Sequence, residues 1–121
     1  MNFNNNKHIE VGKIGENLAK KFLEDKGYKI IEQNYKTKYA EIDLVAQDKK
    51  CLVFVEVRTK IGENFGTPEE TINKNKMRKI KGNAIAYSSF KKWDGPFRLD
   101  AICIVLKPDH SITRLNHYEN V

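Results

Sequence analysis

Two periods of apolar residues run along this chain. Val11, Ile14, Leu18 and Phe22 recur every three or four residues and predict an amphipathic helix from about His8. Gly27 stands where such a helix takes its C-cap. The Asn-rich residues 1–8 have no period and are expected to form a mobile N-terminal arm. Residues 28–35, 40–46 and 51–58 read as strands, the last two joined into a hairpin by the polar tetrapeptide 47–50. After a loop containing Gly62 and Gly66, Thr67-Pro68-Glu69-Glu70 has the form of a helix start. Thr would be the N-cap, Pro the first position and Glu the third, with the helix running to about Tyr87. Residues 96–106 predict another strand, and Pro108-Asp109 a turn into a last one over 112–118. The order is α-β-β-β-α-β-β, the signature of one α/β domain over residues 9–121 with a mixed sheet flanked by helices.

Composition narrows the class. The chain has 121 residues, 40% hydrophobic and 31% charged, with three Pro and seven Gly, which suits one globular domain and excludes disordered and collagen-like chains. Cys51 and Cys103 each lie inside an apolar run, which suggests buried thiols in a reducing compartment. No apolar stretch approaches the ~20 residues of a membrane span, so a soluble, cytoplasmic protein without a membrane partner is expected.

Charge changes the picture further. The net charge is +6, and residues 58–92 hold nine Lys/Arg against three Asp/Glu, so the whole excess lies in that segment. A local basic surplus suggests an anionic partner, most simply a nucleic-acid backbone. A solvated basic helix face is the plainer alternative. Within the second helix Lys74, Arg78 and Lys81 share the side opposite the apolar sector. Lys76 instead falls between Ile72 and Ile80, inside that sector. Its ammonium would either snorkel to the edge or point toward the sheet.

The hairpin gathers acids. A four-residue loop over 47–50 pairs Ala46 with Cys51, sets Glu41 opposite Glu56 and Asp43 opposite Phe54, and turns all four to one side of the sheet. Glu41, Asp43 and Glu56 would then cluster, an unfavourable arrangement without a cation, and their hard oxygens suit Mg²⁺ or Mn²⁺. The alternative, in which they face solvent and pair with Lys36, Lys38 or Arg58, stays open. Glu16 lies at the flank of the first helix's apolar stripe, where it either leans toward this cluster or is solvated. No Gly-rich phosphate loop, Cys-x-x-Cys pair or His-Glu-x-x-His motif competes, and His8, His110 and His117 are expected at the surface. Phe65, Phe90 and Trp93 near the basic segment are candidates for stacking on bases or for core and rim packing.

Several segments together resemble the YraN family of small bacterial proteins: Gly12-Lys13-Ile14-Gly15-Glu16, Gly27-Tyr28, Asn34-Tyr35, Ala40-Glu41-Ile42-Asp43-Leu44-Val45 and Val53-Phe54-Val55-Glu56-Val57-Arg58. Phe65-Gly66, Lys76 and Arg98-Leu99-Asp100 complete the resemblance. That family is similar to the PD-(D/E)xK nuclease superfamily, including archaeal Holliday-junction resolvases. The resemblance implies a restriction-endonuclease-like fold with the metal site on the hairpin. It implies Asp43 and Glu56 as metal ligands together with Glu16, the first-helix acid; Glu41, which the hairpin geometry adds, is an additional candidate acid. Arg58 stands where the superfamily has lysine, and Ala40 where the family usually has glycine. Arginine cannot act as a base, though it can hold a phosphate oxygen. Lys60, of the same strand parity, and Lys76 are the ammonium groups left to serve the site.

Two functions follow as expectations. One is a Mg²⁺- or Mn²⁺-dependent endonuclease for structured DNA, with Asp43, Glu56, Arg58, Lys60 and Lys76 at the scissile phosphate. The other is a nucleic-acid-binding module that retains the fold and cleaves little or nothing. In either, DNA is expected ahead of RNA, Lys74, Arg78 and Lys81 would contact its backbone, and a second copy of the chain is a candidate partner.

Overall fold

The central strand is apolar on both faces, so it must be covered twice. The computed structural model describes the backbone of residues 3–121 and the side chains of residues 10–121; the arm expected over residues 1–8 lies outside the described side chains. Five strands form one sheet in the order β1 (Lys29–Lys36), β2 (Glu41–Asp48), β3 (Cys51–Ile61), β4 (Phe97–Leu106) and β5 (Ile112–Tyr118). β3 and β4 run parallel and every other neighbour is antiparallel, which makes the mixed sheet that the sequence predicts. On one face Val53, Val55 and Val57 pack with Ala19 and Leu23 of α1 (Phe3–Asp25). On the other, Leu52 and Phe54 pack with Ile80, Ala84 and Tyr87 of α2 (Lys74–Phe90), the crossover between the parallel strands.

α1 begins earlier than the apolar period alone indicates and ends as predicted. Gly27 has φ 93°, its N–H bonds to the Glu24 carbonyl, and Tyr28 N–H bonds to the Leu23 carbonyl. That pair is a Schellman cap. Close helix-to-sheet contact depends on a different glycine. A Cβ built on Gly15 would meet Thr59 Oγ1 at 1.7 Å, so only glycine lets α1 settle this near β3.

Two expectations are corrected. The β2–β3 turn is two residues long, not four: Asp48 pairs with Cys51, Ala46 with Val53, and Lys49 takes φ 55°. Both loop lengths are even, so strand parity survives, but every partner slides by two. Leu44 pairs with Val55, which brings Asp43 rather than Glu41 level with Glu56.

The second helix also starts later. Thr67 does form a capping box with Glu70, but it closes a single 3-10 turn, Pro68–Thr71. Ile72 is extended, and Asn73 recaps the chain by accepting from Lys76 N–H at 2.8 Å. A second local cap outcompetes helix continuation, because Asn prefers bonding the backbone to sitting inside a helix.

Candidate functional site

β2 and β3 stop pairing at Leu44↔Val55, although both strands continue beyond it. Alternation breaks at Asp43: Ile42 packs toward α2, while Leu44 packs toward α1. The Asp43 carboxylate takes over the lost ladder bond, accepting from Val57 N–H at 2.8 Å. The parted strands open a cleft of about 890 Å³ between the two helices.

Glu16, Glu41, Asp43 and Glu56 all line this cleft. They form two pairs. Asn34, at φ 52°, a conformation Asn tolerates better than most residues, donates from Nδ2 to Glu16 Oε1 at 2.5 Å and to Glu41 Oε1 at 3.0 Å. Asp43 and Glu56 are close enough that Glu56 raises the proton affinity of Asp43, while Asp43 lowers that of Glu56. Burial first, then the Glu56 charge, pushes the Asp43 carboxyl up to about 8. Burial also raises Glu56, against the lowering influence of Arg58, and raises Glu16. Buried carboxyls this close are favoured by a shared proton or a neighbouring cation.

Glu56 is only 3% exposed. Its Oε1 lies 3.2 Å from Arg58 Nε and 3.1 Å from Lys76 Nζ. The Arg58 contact is poorly aligned, so Nε–H lacks a hydrogen-bond partner, and Glu56 Oε2 lacks one too. Lys76 therefore does reach from α2 toward the acids, as its place in the apolar sector suggested. Lys60 lines the same cleft and lies beside Gly66, whose Cβ would come 3.6 Å from its Nζ. Among the described residues no three Asp, Glu, His or Cys side chains converge as a ready-made metal group.

Lys74, Arg78 and Lys81 are exposed on α2, as expected, and do not line the cleft; Lys79, which sequence reasoning passed over, does. Asn34 was also missed; an Asn interrupting a strand pattern is the signal that could have found it. Trp93 packs against the α2-side core, while Phe65 and Phe90 are 97% and 77% exposed. Of the cysteines only Cys103 is buried; Cys51 is half-buried at the start of β3.

His117 is not a surface histidine: its side chain is 4% exposed. Nε2 lies 2.7 Å from Asp100 Oδ2, and Asp100 also accepts from Arg98 Nε at 3.0 Å and from Asn120 N–H at 3.0 Å. These donors hold the Asp100 carboxyl below its ordinary range despite its burial. Arg98-Leu99-Asp100 thus ties β4 to the C-terminal segment and stands outside the cleft.

With this geometry fixed, comparison with known proteins places the chain. A family model described as Uncharacterised protein family UPF0102 matches residues 15–104. The chain belongs to this family. UPF0102 is the YraN family that the sequence resembles. A UPF0102 protein of Thermodesulfovibrio yellowstonii is 41% identical over 112 residues, covering 93% of this chain and 95% of the relative. One of Caldanaerobacter subterraneus is 43% identical over 114 residues, covering 91% and 92%. One of Lawsonia intracellularis is 44% identical over 116 residues, covering 95% and 86%. The UPF0102 match spans Glu16, Asp43, Glu56, Arg58 and Lys76. No described helix is long and apolar enough to cross a membrane.

Proposed function

We propose that this UPF0102 protein is a Mg²⁺- or Mn²⁺-dependent endonuclease that hydrolyses phosphodiester bonds in structured DNA. The observation that carries the reading is Glu56 Oε2, a buried carboxylate oxygen with no hydrogen-bond partner, in a cleft shared with Asp43 and four cationic side chains. A buried, unsatisfied acceptor is costly, and the hard oxygens around it fit a hard divalent ion. Asp43 and Glu56 would hold that ion, with Glu16 and Glu41 adding negative charge behind Asn34. When bound, the ion supplies Lewis-acid stabilisation of the charge developing on the phosphate.

The chain's own groups do the rest. Arg58 offers its planar fork to a non-bridging phosphate oxygen. Lys76 Nζ, already beside Glu56, can turn its N–H donors to an adjacent phosphate oxygen and favour the more highly charged transition state. Lys60 and Lys79 hold the strand on either side by charge.

A specific observation favours a second reading. Glu56 Oε1 already contacts both Arg58 and Lys76, so protein cations compensate the carboxylate without any ion. A nucleic-acid-binding module that keeps the fold and does not cut would be stable in this form.

Single-turnover cleavage of four-way-junction, flap and linear DNA with Mg²⁺ or Mn²⁺ separates the two. Cleavage lost in both Asp43→Asn and Glu56→Gln, with Arg58→Lys as active as wild type or more so, supports the enzyme. If wild type binds these DNAs but only Arg58→Lys cuts, the chain is a binding module. If neither cuts any of them, the hydrolytic reading fails.

A further inference from the structure

Two exposed aromatic rings line the cleft from separate loops. Phe65 is 97% exposed and Tyr39 is 70% exposed, and both belong to the lining that contains Glu56. Scattered apolar residues at a surface are ordinary; what distinguishes these two is that they are the aromatic side chains of the cleft lining, on turns whose backbones are tied down. The Tyr39 turn is held by Asn83 of α2, itself only 4% exposed. Asn83 Nδ2 donates to the Ala40 carbonyl at 2.8 Å, its Oδ1 accepts from Thr37 Oγ1 at 2.9 Å, and Tyr39 N–H donates to Thr37 Oγ1 at 3.2 Å.

The Phe65 loop is held at both ends. Gly62 N–H bonds to the Leu106 carbonyl at 3.0 Å, and Arg114 grips Glu63 at 2.9 Å and Glu69 at 2.7 Å. Fixing a loop costs entropy, and holding an unburied ring on it recovers none of the hydrophobic gain. Phe65 leaves its ring open to solvent, and Tyr39 carries the Lys38 ammonium 5.1 Å from its ring centroid.

We infer that Tyr39 and Phe65 are stacking platforms that select an unpaired DNA strand, so that the bases beside the phosphate to be cut are single-stranded. This deepens the proposed endonuclease and rests on that reading for the cut itself. Cations between aromatic rings are the composition of single-strand channels: charge tracks the backbone, and any base can stack. Arg58, Lys60, Lys76 and Lys79 supply the charge in the same cleft. Glu56 is nearly inaccessible at the surface, so a phosphate must enter the cleft to meet it. A single strand, whose bases can splay apart, can follow a cleft of about 890 Å³ down to Glu56 more readily than a stiff duplex.

The test is anisotropy of labelled oligothymidine against a blunt duplex of equal length, in EDTA at fixed salt, so that binding is read without cleavage. The single strand should bind at least ~10-fold more tightly, and Tyr39→Ala and Phe65→Ala should each weaken it about tenfold while barely affecting the duplex. Phe65→Trp should retain affinity and Phe65→Leu should lose it, because a face is needed rather than bulk. Equal or tighter duplex binding, or alanine variants that bind like wild type, would overturn the inference. A protein that stacks thymidines yet cuts no DNA with either metal loses the hydrolytic reading and keeps this one. A protein that cuts duplex DNA at the same rate in both alanine variants does the reverse.

Discussion

Lys76 Nζ lies 3.1 Å from Glu56 Oε1, joining the first turn of α2 to the central strand at the edge of the acidic cleft. Removing one partner of a fully buried pair costs ~3–5 kcal/mol, but the Lys76 side chain is 36% exposed and Arg58 remains beside the carboxylate. Solvent screening brings the expected loss for Lys76→Met to about 1–2 kcal/mol in urea unfolding. Metal-dependent cleavage should fall at least ~10-fold, the low end of what one positioned group supplies. Unchanged cleavage in a folded Lys76→Met protein would reduce this lysine to a structural counter-charge.

Gly15 faces Thr59 with no room for a side chain. Gly15→Ala gains up to ~1 kcal/mol of helix propensity, but overpacking typically costs ~1–3 kcal/mol, and the close approach of the Cβ to Thr59 makes the clash dominant. Net destabilisation is expected, with α1 displaced from β3. Pairing it with Thr59→Gly should cost less than the two single changes added together. Strict additivity in the double-mutant cycle would show that the two positions do not touch.

Arg114 holds Glu69 with both of its terminal nitrogens, Nη1 to Oε2 at 2.7 Å and Nη2 to Oε1 at 2.9 Å, and Tyr118 adds a third donor at 2.7 Å. These donors lower the Glu69 carboxyl from its ordinary 4.5 to about 2. A depressed acid stabilises the folded state fully above about pH 5, and the contribution is lost as pH falls through 4.5 toward 2. Glu69 is 29% exposed, so screening limits the contribution to about 1–2 kcal/mol. Arg114→Ala should therefore be clearly less stable than wild type at neutral pH and converge on it near pH 2. A deficit of the same size at both pH values would mean that packing, not charge, sets the cost.

Basic residues on α2 divide into two groups. Lys76 and Lys79 line the cleft, whereas Lys74, Arg78 and Lys81 are exposed outside it. Each phosphate neutralised on duplex DNA contributes about −0.9 to the log–log salt slope of binding, and ~−0.7 on single strands. Neutralising Lys74, Arg78 and Lys81 together should flatten the slope for longer DNA that extends beyond the cleft. It should leave a short single strand nearly unaffected, while Lys79→Gln should weaken that strand. The opposite ranking would move the footprint to the outer face of α2.

Local chemistry is what the sequence determined. The α-β-β-β-α-β-β order follows from apolar periods, and Gly27 and Thr67 form the caps that their residue types prescribe. β5 spans Ile112–Tyr118 as its pattern indicates. The residues that compose the acidic site were also legible, because charged side chains on an apolar strand have no ordinary reason to be there. Lys76 was conspicuous on the same ground, as a charge within an apolar sector.

Only the tertiary structure decided which of these groups meet. A two-residue turn and a four-residue loop leave the same strand parity, so side-chain alternation cannot tell them apart. The backbone choice at Lys49 sets Asp43, not Glu41, level with Glu56. The extended Ile72 and the recapping by Asn73 fix the phase from which Lys76 reaches the sheet. His117 is buried because Asp100 and Arg98, distant in the chain, build a charged network that the pattern of β5 does not register. Periodicity reports which face a residue occupies. Register, splaying and long-range charge depend on contacts between segments, and the cleft exists because two strands that begin as a hairpin part at Asp43.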